Sequence, residues 1–98
     1  MTIHKTKNAS ELILALEGRL DTVTAPELET ELKASLEGMT GLILDFEKLE
    51  YVSSAGLRVL LSAHKQMSKQ GSMKLTHVCE TIREIFEVTG FQDILTVE

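Results

Sequence analysis

The chain has 98 residues, 43% hydrophobic and 26% charged, values that suit one small soluble domain with a core of its own. Fifteen acidic against ten basic residues give a formal charge of −5, which disfavours both a nucleic-acid backbone and an anionic membrane surface as partners. The single cysteine, Cys79, excludes an intrachain disulfide and a cysteine zinc cluster, and it suits a reducing compartment.

No linker, repeat or low-complexity segment divides the chain, so residues 1–98 read as a single domain. Its start, Met1-Thr2-Ile3-His4-Lys5, lacks the apolar run of a secretion signal. No stretch reaches the roughly 20 apolar residues of a membrane span. The expected location is therefore the cytoplasm, without direct membrane insertion, and a monomer is the expected free state.

Thr2–Lys7 and Glu11–Glu17 predict two strands of a hairpin around Asn8-Ala9-Ser10, closed by Gly18 and Asp21-Thr22. Thr24-Ala25-Pro26-Glu27 predicts a helix start, with Thr24 as the cap, Pro26 in the first turn and Glu27 completing a capping box. Ala25, Leu28, Leu32, Ser35 and Leu36 then recur at helical spacing until Gly38. Gly41-Leu42-Ile43-Leu44-Asp45-Phe46 is a nearly unbroken apolar run, as expected of a central strand covered on both faces.

A second helix is predicted from Ser53–Ser54 to about Gln70, with Leu57, Leu60, Leu61, His64 and Met67 on one side and Gly71 as its stop. Met73–Val78 predicts a further strand. Thr81-x-x-Glu84 reads as a second capping box, opening a short helix with Ile82, Ile85 and Phe86 inward. Gly90 suits a left-handed cap with Phe91 packing back on Phe86, and Ile94–Val97 suits a last short strand. The order β-β-α-β-α-β-α-β predicts an α/β fold: a mixed, mostly parallel sheet with an N-terminal antiparallel edge hairpin and helices packed against it.

Few residues suggest catalysis. His4, His64 and His77 have no metal-ligand spacing, and His64 falls on the apolar stripe of its helix as a structural histidine. His77 beside Cys79 hints at a nucleophile and base, but without an orienting third group a small buried thiol is the simpler reading. Glu27, Glu29 and Glu31 read as a solvated face, and Gly18, Gly38 and Gly41 do not form a phosphate-cradling loop. Nothing in the pattern calls for a cofactor or a metal.

The informative stretch is Tyr51-Val52-Ser53-Ser54-Ala55-Gly56-Leu57-Arg58-Val59-Leu60-Leu61. It sets two hydroxyls at the start of an amphipathic helix. One reading is helix capping, worth about 1 kcal/mol, with Gly56 as a packing concession. The other is modification: a phosphoryl group on Ser54 would meet the free N–H groups and dipole of a helix N-terminus. It would add about −1.5 to −2 charge to a chain that is already acidic, opposing contact with an acidic partner. Both readings remain open at this level.

Leu16-Glu17-Gly18-Arg19-Leu20-Asp21, Thr24-Ala25-Pro26-Glu27-Leu28, Leu42–Phe46, the serine stretch through Leu61, Gly71 and Ile85-Phe86-Glu87-Val88-Thr89-Gly90-Phe91 follow one another in order. Together they resemble the STAS-domain family, and within it the stand-alone anti-sigma factor antagonists of bacteria, over nearly the whole chain. The resemblance implies that Ser54, the hydroxyl residue two before Gly56, is phosphorylated; Ser53, a second hydroxyl at the position before it, is the lesser candidate. It implies a contact surface bordered by Asp21, Thr22, Ser53, Ser54, Gly56 and Leu57. The implied partners are an anti-sigma factor that is also a serine kinase, bound by the unphosphorylated form to free the sigma factor, and a serine phosphatase that restores that form. This sequence has Ser53 where the best-studied members it resembles carry Asp before the acceptor, and Ala55 in place of a common second hydroxyl residue. An unswitched STAS subunit of a membrane transport assembly is the alternative, and an enzyme using His77 or Cys79 ranks below both.

Overall fold

The computed structural model describes residues 1–98. Strand β1 (Thr2–Asn8) turns through Ala9, at φ 56°, into β2 (Glu11–Leu20), and the two pair antiparallel from Thr2–Glu17 to Asn8–Glu11. Helix α1 (Ala25–Ser35) then leads to β3 (Gly41–Val52), helix α2 (Ser54–Gln70) to β4 (Ser72–Thr76), and helix α3 (Glu80–Thr89) closes the regular part. The sheet order is β1-β2-β3-β4, with β2–β3 and β3–β4 parallel. The mixed sheet with an antiparallel edge hairpin is thus the one expected.

Burial alternates along the central strands. Leu12, Leu14 and Leu16 of β2 and Leu42, Leu44 and Phe46 of β3 are buried, whereas Ile13, Ala15, Ile43 and Asp45 are only partly covered. The sheet is therefore helix-covered on one face, not on both as the apolar run suggested. Ile43 extends the run because it pairs with Ile13 on the open face, where the two apolar side chains flank each other. The covered face and the helices share one cluster of 25 buried residues, and no polar or charged residue is buried.

Two helix starts differ from expectation. Thr24 occupies the cap position of α1, but its hydroxyl makes no capping bond; it donates to the Arg19 carbonyl at 2.7 Å instead. At α3 the bond ladder starts earlier than Thr81, because Arg83 N–H already donates to the Cys79 carbonyl at 2.9 Å. Cys79 is the cap and Thr81 lies inside the helix, so no capping box forms there. Strand β4 ends at Thr76, since His77 takes a positive φ of 55°.

At the C-terminus, Gly90 adopts the expected left-handed conformation, φ 81°. The expected last strand shrinks to a single parallel bridge between Leu75 and Val97. The cause is a 3-10 turn at Phe91–Asp93, where Ile94 and Leu95 both donate to the Phe91 carbonyl. That leaves only Thr96 and Glu98 to bond the edge of β4, through Leu75.

Candidate functional site

The C-terminal ends of β2 and β3 deliver two connections to the same end of the sheet. Leu20 and Val52 are neighbours in the parallel register, so the turn after β2 and the start of α2 lie side by side. Ser53 N–H donates to the Leu20 carbonyl at 2.8 Å and fastens them together. Gly56 makes this approach possible: a Cβ there would lie 2.7 Å from Leu20 Cγ and 3.0 Å from the Leu20 carbonyl oxygen. The glycine is a packing requirement, as the first-turn position suggested.

The turn after β2 is organised by Asp21. Its Oδ1 accepts from Val23 N–H at 3.0 Å, Thr24 N–H at 3.1 Å and the Thr24 hydroxyl at 3.1 Å. Asp21 N–H in turn donates to the Thr24 hydroxyl oxygen at 2.8 Å. Bonding from the Thr24 backbone is the main cause that holds the Asp21 carboxyl below the ordinary carboxylate range; desolvation, the next effect in size, opposes it, and the Thr24 hydroxyl, Val23 N–H and Arg19 each lower it further. Arg19 lies 3.9 Å from Asp21 Oδ2 and stacks over the Tyr51 ring at 4.5 Å from its centroid. The turn thus presents Thr22 and Val23 on a fixed frame, with Val23 82% exposed.

The two serines have different surroundings. Ser53 is the cap of α2: its backbone is extended, it is half-buried, and its Oγ accepts from Gly56 N–H at 3.3 Å. Ser54 is the first residue of the helix, is exposed, and its hydroxyl makes no hydrogen bond within the chain. No acidic residue occupies the first turn of α2. The site therefore joins a free nucleophilic hydroxyl to the positive end of a helix dipole.

Of the residues expected at a contact surface, Asp21, Thr22, Ser53 and Ser54 come together at the surface. Gly56 and Leu57 lie beneath it, buried, so they shape the site from below. Val23, Arg19, Tyr51 and Arg58 belong to the same neighbourhood and were not singled out from sequence. The available signal was weak: an apolar Val23 between two threonines, in a segment that otherwise reads as a turn.

Cys79 is exposed, not the buried thiol expected, and it makes no bond to His77. His77 Nδ1 lies 3.0 Å from Asp45 Oδ1, and Cys79 Sγ lies 4.0 Å from the Leu49 carbonyl. Asp45, Glu47 and His77 bring donor atoms within 4.8 Å of one another on the open face midway along β3, beside the end of β4, a spacing compatible with a divalent cation. The parallel register that sets Asp45 beside Thr76 creates this cluster, and no spacing in the sequence announces it. Its exposure and the His77–Asp45 bond are equally those of a polar clamp on the turn between β4 and α3.

Comparison with known proteins agrees with this architecture. The family described as STAS domain matches residues 1–98, and the chain belongs to that family. It is 41% identical over 88 residues to the candidate anti-sigma factor antagonist BtrV of Bordetella bronchiseptica, covering 88% of this chain and 76% of the relative. It is 29% identical over 92 residues to the anti-sigma-B factor antagonist of Bacillus subtilis, covering 93% and 84%. The crystal structure of an anti-sigma factor antagonist from Mycobacterium paratuberculosis has the same fold, with a TM-score of 0.88 at 22% identity over 98% of this chain and 83% of that one. The Bacillus antagonist SpoIIAA also shares the fold at 18% identity. Its unphosphorylated form gives a TM-score of 0.77 over 99% of this chain and 87% of that one, and its phosphorylated form 0.76 over 99% and 91%. No helix is long and apolar enough to cross a membrane.

Proposed function

We propose that this chain is an anti-sigma factor antagonist whose unphosphorylated form binds an anti-sigma factor serine kinase, and that phosphorylation of Ser54 turns the binding off. The observation that carries the reading is the division of labour between the serines. Ser53 Oγ is engaged as the helix cap, whereas Ser54 Oγ is exposed and unbonded at the first turn of α2. Similarity to antagonists named as such supports the class of function.

In this reading Ser54 Oγ attacks the γ-phosphorus of ATP held by the kinase. The bond to the bridging oxygen of ADP breaks, and the hydroxyl proton passes to a base on the kinase. The product adds about −1.5 to −2 charge to the surface formed by Thr22, Val23, Ser53 and Ser54. A loss of about 2.7 kcal/mol in binding lowers affinity about a hundredfold, enough for a switch. A serine phosphatase then restores the hydroxyl.

The test is the intact mass of the chain isolated from its own cells, with the modified residue mapped, followed by capture of the kinase on immobilised variants. One phosphoryl group on Ser54, kinase retention by Ser54→Ala and loss of retention by Ser54→Asp are the expected results. Phosphate on Ser53 would reassign the acceptor. A chain that carries no phosphate under any growth condition, and whose two variants capture alike, would leave an unswitched interaction domain.

A further inference from the structure

Helix α2 differs in charge from the chain around it. It carries Arg58, Lys65 and Lys69 and no Asp or Glu, in a protein of net charge −5. Of the three arginines, Arg19 is engaged with Asp21 and Tyr51, and Arg83 donates from Nε to the Val78 carbonyl at 3.3 Å. Arg58 is exposed, one helical turn after Ser54, and takes part in no ion pair or hydrogen bond within the chain.

We propose that Arg58 is the counter-ion of the phosphoryl group on Ser54, so that phosphorylation adds negative charge and at the same time withdraws a free guanidinium from the same surface. The proposal rests on the reading of Ser54 as the phosphorylated residue and extends it to how the modification is registered. Residues four apart on a helix stand one above the other, and the order acid first, base second is the favourable one. The residues between them that turn inward, Gly56 and Leu57, leave the outer face open. A guanidinium offers a planar fork that matches two phosphate oxygens, and no carboxylate on α2 competes for it.

The charged groups on the adjoining elements are Arg19 and Asp21, which pair with each other, Glu27 in the first turn of α1 and Glu50 on the solvent side of β3, and none of them pairs with Arg58. Before modification Arg58 is therefore the free cation beside Ser54, suited to a carboxylate on the partner. After modification the same cation is held by the phosphate, and the surface reads as negative. Arg58 is a positioning residue for this switch, not an acceptor of the phosphoryl group.

The experiment installs phosphoserine at position 54 of the full chain by codon reassignment. The second ionisation of the phosphate, ordinarily near pH 6, is then followed by phosphorus NMR. Arg58→Ala should raise that midpoint by about 0.3 pH unit relative to the parent, as expected for loss of one exposed charge pair. Arg58→Lys should retain most of the parent's value, and the parent–alanine difference should narrow in about 0.5 M salt. The exposed position makes all variants fold alike, and amide spectra report whether they do. An identical midpoint in parent and Arg58→Ala overturns the pairing, as does a difference that high salt leaves untouched. Because the phosphate is installed directly, these outcomes are independent of whether a kinase modifies Ser54 in the cell. The absence of cellular phosphate would defeat the proposed function and leave the pairing standing.

Discussion

Asp21 shows how a single side chain sets the geometry of the site. One carboxylate oxygen collects three donors across Val23 and Thr24, and the bonds favour the charged form. Since the carboxyl is held below its ordinary range, its contribution to stability is complete above about pH 4. It is lost as pH falls through the lowered value, where the folded carboxylate takes up its proton. Asp21→Asn should therefore lower the urea midpoint relative to the parent at pH 6, and the gap should close as acidification takes the pH below the ordinary carboxylate range and through the lowered value. A gap of constant size across that range would mean that the turn is held by other bonds. Thr24 illustrates the same point from the other side: its hydroxyl serves the Arg19 carbonyl and Asp21, so the residue that looked like a helix cap is a fastener of the preceding turn.

Among the elements, α2 is the one whose placement decides the site, and Gly56 decides the placement of α2. In an exposed helix, replacing glycine by alanine stabilises by about 1 kcal/mol. Here the added methyl would enter the space of Leu20, which is fully buried and backed by its own carbonyl oxygen at 3.0 Å from the new atom. Overpacking of this kind costs about 1–3 kcal/mol, so Gly56→Ala should destabilise the fold or leave it unimproved, against the helix-propensity trend. Chemical denaturation of the two proteins measures the difference, and a clear gain in stability would show that α2 can move away from the turn after β2.

The elements that sequence periodicity identified were those whose apolar residues alternate or recur against the common core: the hairpin, β3, α1, α2 and α3. The expectations that failed depended on partners distant in the chain. The apolar run at Gly41–Phe46 reads as doubly covered because Ile43 is apolar, yet Ile43 is sheltered sideways by Ile13, which only the pairing register reveals. Ile94–Val97 reads as a strand by composition, but the backbone of Ile94 and Leu95 is committed to Phe91. The serine stretch marked the place of the candidate site, whereas the difference between Ser53 and Ser54 depends on which hydroxyl meets Gly56 N–H, a matter of backbone direction at the helix start.

For the molecule as a whole, the site sits on a frame that has nothing to rearrange. One apolar cluster of 25 residues unites the covered face of the sheet with the helices, without a buried polar group to exchange its bonds between two states. Ser54 lies outside that cluster and its hydroxyl contributes no bond to it. A phosphoryl group there would change the charge of a surface and leave the packing beneath it alone, in contrast to switches that order or melt a segment. The chain carrying phosphoserine at position 54 should unfold within about 0.5 kcal/mol of the unmodified chain, the usual range for surface changes. Its amide spectrum should change only around residues 19–24 and 50–58, while signals from Leu75, Ile82 and Phe86 stay in place. Perturbation reaching those core residues, or a large shift in stability, would show that the modification acts by altering the fold. Confinement to the surface would mean that the partner reads charge and contact on a rigid body, and that discrimination between the two forms resides in their complementary surfaces.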